Sequence, residues 1–173
     1  MSALSNLKMD DAAKCISADT FRNGMACLPG AVNIVTTNLG AEKAGFTATA
    51  VCSVSDNPPT LLVCLNRSAS VHQRFSQATN LVINTLGAGQ DALSNVFGGK
   101  APMEERFAQG QWDTLVTGAP ILANAAVSFD CKITARQSVA THDVFFCEVL
   151  AIKQNDEAGA LLYFQRAYHH LEK

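Results

Sequence analysis

Two long strand-patterned runs, AVSFDCKITARQSV (126–139) and DVFFCEVLAIKQ (143–154), are separated only by Ala140, Thr141 and His142. So short a connection suits antiparallel partners, because parallel ones need a crossover of about a dozen residues or more. The rest of the chain follows the same rule. AVNIVTT (31–37) reads as a strand and NLGAEKAG (38–45) as a turn. An alternating strand then runs from Phe46 to Ser53, SDNPP (55–59) turns, and TLLVCLN (60–66) is apolar enough for burial on both faces. LVINTL (81–86) and ALLYFQ (160–165) complete the strands. Ser17 or Asp19 can cap a helix that carries Phe21, Met25 and Leu28 on one face and stops at Pro29-Gly30. Ser68 to Gln77 reads as a short helix. A helical region from Gln90 to Gln109 is broken at Gly98-Gly99 and Pro102, and Trp112 to Thr117 is ambiguous. About seven hairpin-connected strands and three short helices, without βαβ alternation, predict a mainly β fold. The expected form is an antiparallel barrel with short helices packed outside.

The length of 173 residues favours one domain, over 17–173, behind a loose arm at 1–16. Apolar residues make up 48% and charged residues 16%. That is apolar for a free monomer, and a buried homodimer face would account for it. The net charge of −2, without a basic block, argues against nucleic acid and anionic membrane as partners. No run approaches the ~18 apolar residues of a membrane-spanning helix, and the N-terminus lacks a signal-peptide pattern, so a cytoplasmic protein is expected. Cys15, Cys27, Cys52, Cys64, Cys131 and Cys147 are scattered without a CxxC. They read as small buried hydrophobes in a reducing compartment.

Several chemistries lack their residues. No GxGxxG follows a strand, no GxSxG is present, and FGGKAPME lacks the spacing and the Ser/Thr of a phosphate loop. His72, His142, His169 and His170 are not at metal-ligand spacing, so no metal is expected. A reaction whose hard chemistry belongs to a bound cofactor fits better. The positive signal is GFTATAVCSVSDNPP, where Phe46, Ala48, Ala50 and Cys52 alternate with Thr47, Thr49, Val51 and Ser53. A strand built only for packing carries bulkier apolar residues. This one offers a small face and a hydroxylated face. It suits either a flat ligand with polar edges or ordinary solvent exposure.

FRNGMACLPGAVNIVTT, GFTATAVCSVSDNPPTLLVCLN, VINTL, THDVFFCEV and YFQRAYHHL resemble, in order and spacing, the flavin reductase family, whose members supply reduced flavin to two-component monooxygenases. The resemblance runs from about Thr20 to Leu171; of the two branches most similar, the FMN reductases of pyrimidine utilisation and the reductase components of 4-hydroxyphenylacetate monooxygenase, LSNVFGGKAPMEERF and VSFDC lean toward the first. It implies a split β-barrel of the FMN-binding type, a homodimer, FMN or FAD at the dimer interface, and NADH or NADPH as donor.

The family's flavin ring surface falls on Thr47, Ala48, Thr49, Ala50, Ser53 and Val54. Its ribityl and phosphate positions fall on Cys64, Leu65, Asn66, Arg67, Ser68, Ser70 and Val71. A helix start at Ser68 and Ser70 would favour an anion. Ser68 is equally a plain cap, and Arg67 equally a solvated loop arginine. Gly99 and Lys100 match a flavin-contacting loop, where Lys100 is equally a solvated lysine. His142 stands in Ala140-Thr141-His142, where the family has a GDH-like motif, so alanine replaces the usual glycine. The resemblance puts His142 in a catalytic role beside the nicotinamide, with Pro29, Arg166, Tyr168 and His169; Tyr168 is equally a core residue. The implied activity is hydride transfer from the nicotinamide to flavin, with reduced flavin passed to a partner monooxygenase. Two alternatives stay open. One is a flavin-retaining reductase of another acceptor, such as the cobalt of a corrin intermediate in cobalamin biosynthesis. The other is a non-catalytic flavin-binding barrel.

Overall fold

The computed structural model describes residues 16–173, so the expected arm at 1–16 lies, apart from Ile16, outside the described residues. Twelve strands and four helices form among them. In chain order these are α1 (Ala18–Ala26), β1 (Gly30–Ala31), β2 (Asn33–Leu39), β3 (Glu42–Ala48), β4 (Val51–Asp56), β5 (Pro59–Asn66), α2 (His72–Gln77) and β6 (Asn80–Thr85). Then come α3 (Asp91–Gly98), α4 (Met103–Phe107), β7 (Trp112–Thr114), β8 (Pro120–Leu122), β9 (Val127–Val139), β10 (His142–Gln154), β11 (Ala160–Phe164) and β12 (Ala167–Leu171).

Seven strands make one antiparallel sheet in the order β3-β2-β6-β9-β10-β5-β4. Its two edges, β3 and β4, are consecutive in the chain, joined only through Thr49 and Ala50. The sheet must therefore curl until its edges meet, which makes a barrel. At the meeting point the Cys64 amide of β5 donates to the Ala50 carbonyl at 3.1 Å. The strand expected from Phe46 to Ser53 is thus two strands on opposite edges. The turn expected at 38–45 shrinks to Gly40-Ala41, because Glu42 to Ala48 pairs with β2.

Period-two alternation sorts β2 between two cores. Val35 enters the barrel interior with Val63, Leu65, Leu81, Ile83, Phe145 and Phe75 of α2. Ile34 faces the other way, toward Phe97, Leu122 and Leu161 under α3, β8 and β11. This double coverage buries Asn33 through Thr37. β5 differs from expectation: only Val63 and Leu65 are buried, because its other face is covered incompletely. Beside the seven-stranded sheet lie a two-stranded sheet, β7-β8, and a three-stranded one, β1-β11-β12, which contains a strand that the sequence did not suggest, β12.

α1 starts as expected, with Ser17 Oγ accepting from the Thr20 amide at 3.1 Å. None of its residues is buried, so Phe21 and Met25, with Leu28 just beyond, stay exposed. The cysteines divide: Cys131 and Cys147 are buried and Cys64 is half-buried, but Cys27 and Cys52 are exposed, against the expectation of burial. No described helix is long and apolar enough to cross a membrane.

Candidate functional site

The break between β3 and β4 creates the site. Thr49 and Ala50 belong to neither strand, and their amides find no acceptor among the described residues. Around them opens a cleft of about 410 Å³, lined by Phe46 to Ala50, Cys64 to Asn66, Ala69 to Val71, Phe97 to Gly99, Arg106 and His142. It falls within the usual size of ligand sites, about 300–1,000 Å³. Small side chains and unspent backbone donors at Thr49 and Ala50 fit a flat ring with acceptor atoms on its edge. The residues present therefore suit a flavin.

Each wall has a local cause. Thr47 Oγ1 donates to the Ser94 carbonyl at 2.7 Å, which fastens α3 to β3. Gly45 admits Phe97: a Cβ there would lie 2.7 Å from Phe97 Cε1. The opposite wall is the end of β5, where Asn66 Oδ1 accepts from the Ser68 amide at 2.9 Å and from Ser68 Oγ at 2.8 Å. Helix α2 begins only at His72, with Val71 at its cap and no side-chain cap bond. The expected helix start at Ser68 is therefore replaced by a polar turn, since Asn66 takes up the Ser68 donors first.

Arg106 is the residue that sequence reasoning missed. It is only 4% exposed. Its Nε donates to the Ala101 carbonyl (2.8 Å), Nη1 to Phe97 (2.8 Å) and Gly45 (3.2 Å), and Nη2 to Gly99 (2.8 Å). Burial lowers its pKa from the ordinary arginine value. In MEERFAQG it looks like an exposed charge on a short polar helix, and no sequence signal marks it. Phe46, Ala69, Phe97 and Gly98 were also not singled out as site residues.

Burial raises the Cys64 thiol above its usual range, which keeps it neutral. His142 is half-buried at the start of β10, with Nδ1 2.9 Å from Thr141 Oγ1. It faces Asn66 across the β5–β10 pair. Ala140 takes φ 48° in the turn before it, so the backbone keeps the left-handed conformation although glycine is absent. Just beyond, Asp143 accepts from Ser138 Oγ at 2.6 Å and meets His72 Nε2 at 2.6 Å. Those two bonds, Ser138 first, hold its carboxyl below the ordinary range.

A second cleft, of about 640 Å³, lies on the far side of the break. It shares Thr49 and Ala50 with the first and is otherwise lined by Phe21, Arg22, Met25, Ala26, Leu28, Pro29, Gly30, Tyr163 and Arg166. Arg166 is held there by an Nη2 bond to Asn23 Oδ1 at 2.6 Å, from a turn whose Gln165 and Arg166 both have positive φ (48° and 63°).

The expected flavin residues Thr47, Ala48, Thr49, Ala50, Cys64, Leu65, Asn66, Ser70, Val71 and Gly99 come together in the first cleft. Ser53, Val54, Arg67, Ser68 and Lys100 do not line it. Ser53 and Val54 lie on exposed β4, because the strand break rotates them away. Arg67 Nη2 is bonded to the Ala140 carbonyl, and Lys100 is exposed. The expected nicotinamide residues divide. Pro29 and Arg166 line the second cleft, whereas His142 lines the first. Tyr168 ties β12 to α3, with its hydroxyl 2.9 Å from Ser94 Oγ and 3.0 Å from Asn95 Oδ1. His169 is exposed, beside the Phe164 carbonyl at 3.3 Å.

A curled antiparallel sheet whose strand break opens two adjoining clefts defines a split β-barrel. Residues 25–172 match the family model described as flavin reductase like domain, and the chain belongs to that family. It is 58% identical over 158 residues to the FMN reductase (NADH) RutF of Serratia proteamaculans, covering 91% of this chain and 90% of that one. A crystal structure of a candidate flavin reductase from Haemophilus somnus superposes with a TM-score of 0.88 at 45% identity, over 90% of this chain and all (100%) of the other. The NADH:FAD oxidoreductase SgcE6 of Streptomyces globisporus superposes with a TM-score of 0.84 at 25% identity, over 94% of this chain and 100% of that one.

Proposed function

We propose that the protein is an NADH-dependent FMN reductase, with FMN in the cleft over Thr47–Ala50 and the nicotinamide approaching from the cleft beside Pro29 and Arg166. The observation that carries this reading is that the two clefts share Thr49 and Ala50. Two ligands held there would meet over Thr49 and Ala50. Bound FMN supplies the two-electron acceptor. The chain contributes position: effective molarities near 10⁵–10⁸ M follow from holding two reactants in register. The Thr49 and Ala50 amides are free to hold the ring edge, and the exposed turn from Asn66 to Ser70 is open to a phosphate. FMN is preferred over FAD because the 58%-identical relative carries the FMN name, and the FAD-named structure stands at 25%.

The protein acts as a homodimer and hands reduced flavin to a partner monooxygenase. Support for the dimer comes from the uncovered face of Phe21, Met25 and Leu28, which lines the second cleft and would be covered by another copy. Support for the partner comes from the family resemblance in the sequence. The test is NADH oxidation by purified protein with added FMN or FAD. FMN-dependent turnover is expected; NADH oxidation that ignores added flavin would overturn the reading.

A further inference from the structure

Among the residues lining the first cleft, Arg106 alone carries a permanent charge. It is 4% exposed, and no described carboxylate pairs with it. Four of its five N–H donors are spent on the carbonyls of Gly45, Phe97, Gly99 and Ala101. These bonds satisfy its hydrogens but leave its net charge. A buried cation without a counter-charge is costly, so the cleft is electrostatically incomplete until an anion arrives.

We propose that Arg106 is the counter-charge for the reduced, anionic flavin ring, so that its charge favours reduced FMN over oxidised FMN in the cleft. This rests on the FMN reading above. The ring is favoured over the phosphate on two grounds. A single remaining N–H cannot make the two-pronged grip by which arginine holds phosphate. Arg106 also sits beside buried Phe97, whereas Asn66, Ser68 and Ser70 form an exposed polar turn suited to the charged tail. A charge held in a water-poor wall acts through space, and more strongly than it would in solvent.

The experiment measures dissociation constants of oxidised and reduced FMN and the potential of the bound flavin, in wild type, Arg106→Gln and Arg106→Lys. Arg106→Gln is expected to weaken reduced FMN about tenfold more than oxidised FMN, which lowers the two-electron potential by about 30 mV. Arg106→Lys should keep the wild-type ratio even where both affinities fall. A loosened loop would weaken both forms alike and leave the ratio unmoved, and that result overturns the proposal. If FMN affinity falls equally for both forms while riboflavin affinity holds, the charge serves the phosphate, and the proposal also fails.

Should these variants not bind flavin, Arg106→Ala is tested with added guanidinium or its neutral analogue urea, both at millimolar concentration. Restoration of the potential by guanidinium but not by urea supports the charge. Equal rescue by urea, or rescue by neither, makes Arg106 a clamp for the loop and sinks the inference. Wild-type protein that binds no FMN would instead refute the functional reading itself.

Discussion

The Cys64 amide donates to the Ala50 carbonyl at 3.1 Å, and this bond joins the β5 side of the sheet to the segment that leaves β3. Ala50 is exposed and borders both clefts. Ala50→Leu therefore fills space in both clefts while leaving the cores untouched. Overpacking of about 1–3 kcal/mol predicts FMN binding weakened roughly 5- to 150-fold, with a weaker hold on NADH as well. Flavin titration and a thermal melt check this; unchanged FMN affinity in the folded variant would remove Ala50 from the site.

His142 lines the same cleft as Ala48 and Asn66, apart from Pro29 and Arg166. His142→Ala is therefore expected to act on flavin binding. Loss of one hydrogen bond of about 0.5–1.5 kcal/mol corresponds to roughly 2- to 13-fold weaker FMN. Stopped-flow reduction at saturating FMN and NADH separates the alternatives. A slowed rate with unchanged FMN affinity would return His142 to the donor side.

Asp143 links β10 to α2 through His72 and to β9 through Ser138. Its carboxyl lies below the ordinary value because those partners favour the ionised form. The folded state thus holds the proton less tightly than the unfolded chain, whose aspartates titrate near 3.9. This contribution to stability is complete well above pH 4 and is lost as pH falls through the folded value. Asp143→Asn should lower the melting temperature at pH 7 and flatten its decline between about pH 5 and pH 3. Parallel acid curves for wild type and variant would contradict this account.

Ala140 holds φ 48° in the two-residue turn between β9 and β10. A left-handed alanine costs about 1–2 kcal/mol, and glycine's greater unfolded-state freedom returns about 0.5–1 of that. Ala140→Gly is expected to raise the melting temperature by roughly 1–4 °C. A lowered melting temperature would show that the Arg67 bond to the Ala140 carbonyl needs the stiffer residue.

The long hairpin of β9 and β10 was legible because alternation and strand propensity are local, and two runs so close in the chain have few ways to pair. The small and hydroxylated character of Thr47–Ala50, which line the first cleft, was legible for the same reason, since it departs from ordinary packing. The break at Thr49-Ala50 was not. Residues on both sides keep strand character, and the chain divides there only because the closing sheet sends β3 and β4 to opposite edges. That closure turned Ser53 and Val54 outward and placed His142 beside Asn66. β12 was hidden because AYHHL gains its partners only when the Gln165-Arg166 turn, without glycine, folds it onto β11. Arg106 was the least legible of all, since burial of its guanidinium depends on carbonyls that β3, α3 and the loop after α3 bring together only in the folded chain. By itself, the sequence determined most of the long strands, their antiparallel character and the family resemblance, all matters of local pattern. Only the tertiary structure decided which residues share a cleft, because that depends on where a curled sheet brings its edges together.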